Sequence, residues 1–152
     1  MQSEKIIERI VSWLKDYAEK AGVKGYVIGV SGGVDSGVVS TLCAMTGLKV
    51  LALEMPIRQQ KDQASRALEH IDFLKNKFPN VEGFTVDLNE PFEALYKTFD
   101  VKDDEFPAEK LAFANTRSRL RMLTLYYYGQ INGLLVCGTG NKVEDFGIGF
   151  YT

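Results

Sequence analysis

Gly29-Val30-Ser31-Gly32-Gly33-Val34-Asp35-Ser36 follows the apolar run Tyr26-Val27-Ile28 and precedes a helix-like run from Gly37 to Met45. A strand, a glycine-rich turn and a helix start, in that order, make an anion site. The backbone N–H groups of such a turn point inward, and the helix N-terminus carries partial positive charge. Gly32 and Gly33 allow a phosphate to approach the backbone without an intervening side chain. Ser31 and Ser36 add hydroxyls, and Asp35 adds a carboxylate suited to Mg²⁺. The alternative is a tight turn in which Asp35 or Ser36 serves as an ordinary helix cap.

Working outward, the spacing predicts a helix over Ser3–Lys20, with an apolar stripe of Ile6, Ile7, Ile10, Trp13, Leu14 and Tyr17. Strands are expected at Tyr26–Val30, Lys49–Met55, Glu82–Leu88 and Leu134–Cys137. Helices are expected at Ser36–Met45, Lys61–Lys77, Pro91–Lys97 and Ala108–Gly129. Thr98–Pro107 reads as a mobile, acidic loop, and Asn141–Thr152 has no clear period. Nearly continuous apolar strands alternating with helices imply an α/β fold: a parallel, Rossmann-like twisted sheet between two helical layers. Ligands of such sheets sit at the carboxyl ends of the strands, where the strand order switches. If the first and last strands are neighbours, the glycine loop and Gly138-Thr139-Gly140 face one cleft.

The 152 residues suit one domain, over 1–152. Hydrophobic residues make up 45% of the chain and charged ones 25%, an ordinary globular balance. The formal charge of -2 offers no broad footprint for nucleic acid or an anionic membrane, and no run approaches transmembrane length. Cys43 and Cys137 have apolar neighbours and no Cys-x-x-Cys spacing, so free, packed thiols in the reducing cytoplasm are expected. The single histidine, His70, is expected on a helix surface.

Two further clusters carry chemistry. In Asn115-Thr116-Arg117-Ser118-Arg119-Leu120-Arg121-Met122, Asn115 and Arg119 share one helix face, and Arg117 and Arg121 share another. Arginine offers a permanent charge and a planar fork for phosphates and carboxylates, although the pattern judged alone favours a solvated charged face. In Cys137-Gly138-Thr139-Gly140-Asn141-Lys142-Val143-Glu144-Asp145, a strand end presents a hydroxyl and two carboxylates. Glu144 or Asp145 would complete a Mg²⁺ shell begun by Asp35, or simply favour a helix start.

The glycine loop lacks the Gly-Lys-Ser/Thr end of a Walker A motif. It resembles the Ser-Gly-Gly-x-Asp-Ser loop of the ATP pyrophosphatases. The Asn-x-Arg-x-Arg-x-Arg-Met helix, followed by Gly-Thr and by Glu144 five residues after Thr139, narrows the resemblance to ammonia-dependent NAD synthetase, a family of the adenine nucleotide alpha hydrolase-like group. The resemblance implies that Gly29, Ser31, Gly32, Gly33, Asp35 and Ser36 hold pyrophosphate, and that Asp35 and Glu144 hold Mg²⁺. It implies that Gln60, Arg121 and Thr139 contact ATP, and that Tyr17, Asn115 and Arg119 contact deamido-NAD. Tyr17 reads equally as core packing.

The implied reaction is amidation of deamido-NAD by ammonia through an acyl-adenylate, giving NAD, AMP and pyrophosphate, with no protein nucleophile. A homodimer is implied, with Tyr126-Tyr127-Tyr128 available either to its interface or to the core. The family domain is expected to continue past Thr152, so that its C-terminal part is missing here. Glu54 stands where many relatives carry an arginine near the adenine. Two other readings are a pyrophosphatase that adenylates a tRNA base or purine nucleotide, and a nucleotide-binding module without catalysis.

Overall fold

The computed structural model describes residues 3–58, 61–99 and 106–148. Its elements run α1 (Ser3–Lys20), β1 (Gly25–Gly29), α2 (Val34–Met45), β2 (Lys49–Glu54), α3 (Lys61–Lys77), β3 (Val81–Thr85), α4 (Asn89–Thr98), α5 (Pro107–Asn132) and β4 (Leu135–Val136). A π-helical turn follows over Val143–Ile148. The four strands are parallel in the order β3-β2-β1-β4.

Alternation along the strands divides the core in two. Tyr26, Ile28, Val50, Ala52 and Val81 pack against Leu14 and Ala18 of α1, Cys43 and Ala44 of α2, and Ala67, Ile71 and Leu74 of α3. Val27, Leu51 and Leu53 face the other way, onto Phe92 of α4 and Phe113 of α5. The result is three layers, as the uninterrupted apolar strands imply. The chain steps from β1 to β3 with α2 and α3 on one face. It returns to β4 on the far side of β1 with α4 and α5 on the other face. Reversing both direction and face keeps a single crossover hand.

Local chemistry fixes the ends. A Cβ at Gly25 would lie 1.9 Å from the Lys49 carbonyl oxygen, so β1 starts where only glycine fits. Tyr26 Oη donates to the Leu14 carbonyl at 2.6 Å, tying α1 to the sheet, and burial raises this phenol to about 12. β3 ends at Thr85 rather than at the expected Leu88, because its partner β2 ends at Glu54, opposite Thr85. α5 runs on to a left-handed cap at Gly133 rather than stopping at Gly129. Gly129 instead lies inside the helix, where a Cβ would meet the Leu134 carbonyl at 3.0 Å and Val27 at 3.3 Å. Pro107 opens α5 and Thr98 ends α4; the acidic stretch 100–105, expected as a mobile loop, lies outside the described residues.

The apolar stripe of α1 stands uncovered, and the surface position expected for His70 is corrected. The stripe on α1 is not a buried face: Leu14 and Ala18 are buried, whereas Ile6, Ile7, Ile10, Trp13 and Tyr17 are exposed. Period shows that a helix has an apolar side and does not show what covers it. His70 is half-buried rather than on the surface, since it packs across α2. The buried Ser40 hydroxyl donates to the Gly37 carbonyl at 3.1 Å, and its oxygen lies 2.9 Å from His70 Nε2.

Burial holds the His70 imidazole below its ordinary value of 6.5, against an opposing contact with the Gly37 backbone. The unfolded chain therefore binds more protons than the folded one just below that value, so stability falls as pH drops through 6.5 and levels off below the folded pKa. The urea midpoint of the wild type should decline between about pH 7.5 and pH 5.5 more steeply than that of His70→Gln. Parallel profiles would remove His70 from the account.

Candidate nucleotide site

β1 exits through Val30 and Ser31 into the glycine loop. Gly32 takes a φ of +78°, and Gly33 is the extended cap of α2, without a side-chain cap bond. The first turn of α2 thus keeps backbone N–H groups for an incoming acceptor. The two serines brace the loop from inside. Ser36, 3% exposed, donates from Oγ to the Gly33 carbonyl at 3.0 Å and accepts the Ser31 N–H at 3.2 Å. Ser31 Oγ lies 3.1 Å from Ser36 Oγ and accepts the Gly33 N–H at 3.2 Å. Asp35 is exposed in the first turn of α2.

Because β4 pairs directly with β1, the loop faces the turn after β4. The Cys137 N–H donates to the Val27 carbonyl at 2.9 Å and sets where that turn leaves the sheet. Together they enclose a cleft of about 420 Å³ at the reversal of strand order. Its lining brings together Gly29, Ser31, Arg121 and Thr139, four of the residues singled out in the sequence. Arg121 Nε donates to the Met55 carbonyl at 3.0 Å, which aims the guanidinium without neutralising it. Burial, and after it the neighbouring Arg117, lower its pKa; an arginine nevertheless stays charged.

The remaining candidates lie elsewhere. Gly32 and Gly33 border a second, apolar groove of about 720 Å³ between α1, α2 and α3. Asn115 is half-buried and Arg119 exposed, on a face of α5 turned from Arg121. Tyr17 is exposed beside Trp13, their ring centres 5.4 Å apart, so it is not core packing. Gln60 lies outside the described residues. Glu144 is half-buried in the π-helical turn, where its N–H and that of Val143 both donate to Asn141 Oδ1 at 3.0 Å. Among the described residues, no three His, Cys, Asp or Glu side chains gather around one point. Glu54 is buried and turned toward β3, where its carboxylate accepts the Thr85 hydroxyl at 2.5 Å.

The sequence reading missed Met55, Ser118 and Cys137 as cleft residues. Ser118 was within reach of it, since it lies three residues before Arg121 and shares its face of α5. Also missed was the clamp on the turn after β2. Arg58, at a φ of +47°, donates from Nε and Nη2 to the Glu93 carboxylate at 2.6 and 2.9 Å and lies over the Tyr96 ring at 4.4 Å. Its N–H donates to Asn89 Oδ1 at 2.7 Å. A non-glycine residue with positive φ was not readable from composition.

The fold and the cleft are those of a nucleotide-binding α/β protein of the adenine nucleotide alpha hydrolase type. The comparisons narrow that class. The chain matches the family described as NAD synthase over residues 6–152, and it belongs to that family. It is 37% identical over 153 residues to the NH(3)-dependent NAD(+) synthetase of Finegoldia magna, spanning 100% of this chain and 59% of that one. It is 33% identical over 151 residues to the protein of the same name from Methanocaldococcus jannaschii, spanning 98% and 56%. Among solved structures, the NH3-dependent NAD synthetase from Campylobacter jejuni in complex with the nitrate ion superposes with a TM-score of 0.85 at 30% identity, covering 100% of this chain and 62% of that one. An NMN synthetase from Francisella tularensis also gives a TM-score of 0.85, at 32% identity, covering 100% and 60%. The chain thus spans about three-fifths of the length of the curated relatives it matches.

The serine bracing makes a prediction free of any ligand. Ser36→Ala leaves the Ser31 N–H without its acceptor inside the loop, and unfolding stability should fall by roughly 1–2 kcal/mol. Urea denaturation measures this, and an unchanged midpoint would show that the loop holds its shape without the hydroxyl.

Proposed function

We propose that this chain carries the nucleotide-binding core of an ammonia-dependent NAD synthetase, which amidates deamido-NAD at the expense of ATP. One observation supports the reading above the others. The start of the glycine loop (Gly29 and Ser31), the Gly138–Gly140 turn and Arg121 converge on one cleft at the reversal of strand order. The nicotinate carboxylate attacks the α-phosphorus of ATP, and the α–β bond breaks to release pyrophosphate. Ammonia then attacks the acyl-adenylate carbonyl, and AMP leaves as the amide forms. This needs positioning and charge neutralisation rather than a protein nucleophile.

In this reading the loop amides and Arg121 hold the phosphates, and Thr139 lies across the cleft from Ser31. Asn115 and Arg119 receive deamido-NAD, with Tyr17 lining its nicotinate end. Asp35 and Glu144 are two hard oxygen donors, the number that Mg²⁺ takes when phosphates and water complete its shell. Bound there, Mg²⁺ would neutralise charge on the departing pyrophosphate.

The exposed apolar side chains of α5 (Leu123, Tyr126, Tyr127, Ile131) and of α1 support a homodimer, the contact surface being a second copy. The NMN synthetase neighbour gives a second reading of the acceptor, with the mononucleotide in place of the dinucleotide. The cytoplasm, with its ATP and reduced thiols, is the proposed compartment. No helix among the described residues is long and apolar enough to cross a membrane.

Pyrophosphate release from MgATP is the decisive assay, with ammonia and either deamido-NAD or the nicotinate mononucleotide. Release coupled to NAD formation supports the synthetase, and release with the mononucleotide alone moves the acceptor. Asp35→Asn should weaken MgATP binding by roughly tenfold or more while leaving metal-free ATP unaffected. Unchanged MgATP binding in that variant would remove Asp35 from the metal. Sedimentation should show a concentration-dependent dimer that Tyr127→Arg shifts to monomer; a monomer at every concentration rejects the dimer.

A further inference from the structure

A pocket of about 310 Å³ opens between the turn after β2, α4 and the start of α5, lined by Arg58, Tyr96, Lys110, Phe113 and Arg117. Among the described residues its lining holds three cations and no carboxylate, in a chain whose formal charge is -2. None of the five has a part in the proposed amidation.

Helical spacing and ring packing bring these cations together. Lys110, Phe113 and Arg117 recur at i, i+3 and i+7 and share one face of α5. Arg121, four residues further on, carries the same face into the nucleotide cleft. The Tyr96 and Phe113 rings lie 4.8 Å apart, and Phe92 meets Phe113 edge-on at 6.0 Å. Arg58 Cζ stands 5.2 Å from the centre of the Phe92 ring, and Arg117 Cζ stands 5.8 Å from the same centre. One aromatic cluster therefore carries both guanidinium groups.

Their charge is only partly answered within the protein. The Glu93 carboxylate accepts from Arg58 Nε and Nη2, which leaves Nη1 outside that pair. Arg117 is half-buried, and among the described residues no carboxylate stands within ion-pair distance of it. A ring face offsets part of the cost of taking a guanidinium out of water, and an anion offsets more. Arg117 also opposes the charge of Arg121 one turn along the helix. An anion seated on Arg117 answers both costs at once.

We propose that this pocket is a phosphate-binding site outside the nucleotide cleft, anchored by Arg117 and completed by Lys110 and Arg58. The planar fork of Arg117 matches two oxygens of a phosphate group, and Lys110 adds a compact positive charge that adapts to a third. The volume lies at the lower end of small-molecule pockets, which begin at about 300 Å³. It admits a free anion such as pyrophosphate or the phosphate of a nucleoside monophosphate. The site does not rest on the function proposed above.

The test titrates the full chain in EDTA with inorganic pyrophosphate, and separately with AMP, by equilibrium dialysis. Both titrations are repeated in Arg121→Gln, which removes the cation of the nucleotide cleft. The expected result is a saturable site that survives in Arg121→Gln. Arg117→Gln should weaken it roughly tenfold and Lys110→Gln roughly threefold. Lys110 is exposed, so its substitution reads charge rather than folding. Arg117→Lys keeps the charge and loses the fork, and should fall between the wild type and Arg117→Gln. Added salt should weaken the site in every chain that binds. Tighter binding of pyrophosphate assigns the pocket to a free anion, and tighter binding of AMP assigns it to a nucleotide phosphate. No saturable binding of either ligand would overturn the site. So would binding that Arg121→Gln abolishes and Arg117→Gln leaves unchanged, because the anion then occupies the cleft. No step of the test needs turnover, so a chain without synthetase activity leaves the result standing.

Discussion

Val27 and Ile28 have no solvent exposure, because β1 has a strand neighbour on each edge and a helical layer on each face, and its carboxyl end opens on the cleft. Its backbone is fixed by both ladders, and what leaves its carboxyl end is fixed in turn. The Val30 N–H still donates to the Leu53 carbonyl at 2.8 Å, one residue past the strand. Only beyond Val30 is the chain free to turn, and Gly32 supplies that turn. On the other edge, the Cys137 N–H binds the Val27 carbonyl. The two walls of the cleft are thus referenced to the same strand, which sets the distance between Ser31 and Thr139 before any ligand arrives.

The third wall comes from α5. Gly129 lets the helix settle onto Val27 and the Leu134 carbonyl, and Leu125 and Arg121 lie one and two turns earlier on the same side. The close approach at Gly129 therefore places Arg121 over the ends of β1 and β2, where Nε meets the Met55 carbonyl. Met55 is held in turn. The Leu88 N–H donates to the Pro56 carbonyl at 3.2 Å, and the Arg58 clamp pins the turn two residues further on. Contacts far from the cleft are in this way carried into the position of one guanidinium.

Most of the fold was legible because its central strands, β1 and β2, are buried on both faces and therefore read as unbroken apolar runs, with glycine and proline marking where they stop. The glycine loop and the Gly138–Gly140 turn were legible for the same reason, as small residues directly after such runs. Three things were not. The order β3-β2-β1-β4 decides that those two turns share a cleft, and no local pattern encodes it. The helical pattern by itself did not separate the arginine that enters the cleft from the other two at alternating positions of α5; only the family resemblance singled out Arg121. Arg121 enters the cleft because its face of the helix is the one that rests on the sheet, whereas Arg119 remains exposed. The stripe on α1 was legible as apolar, but what covers it was not: Leu14 reaches the sheet, with Ala18 beside it, and Ile6, Ile7, Ile10, Trp13 and Tyr17 are exposed.

Charge is ordered across the site in a way that separate motifs do not reveal. The cationic group lies within the cleft, half-buried and bonded to a carbonyl rather than to a carboxylate. The carboxylates lie outside the lining, Asp35 exposed at the start of α2 and Glu144 in the turn after β4. A carboxylate inside would neutralise Arg121 and repel phosphate through a low-dielectric medium, where like charges interact most strongly. At the margin, water screens that repulsion while each carboxylate keeps its affinity for a divalent cation. The fold reaches this separation simply, by drawing the cation from a helix that lies on the sheet and the anions from turns that have already left it.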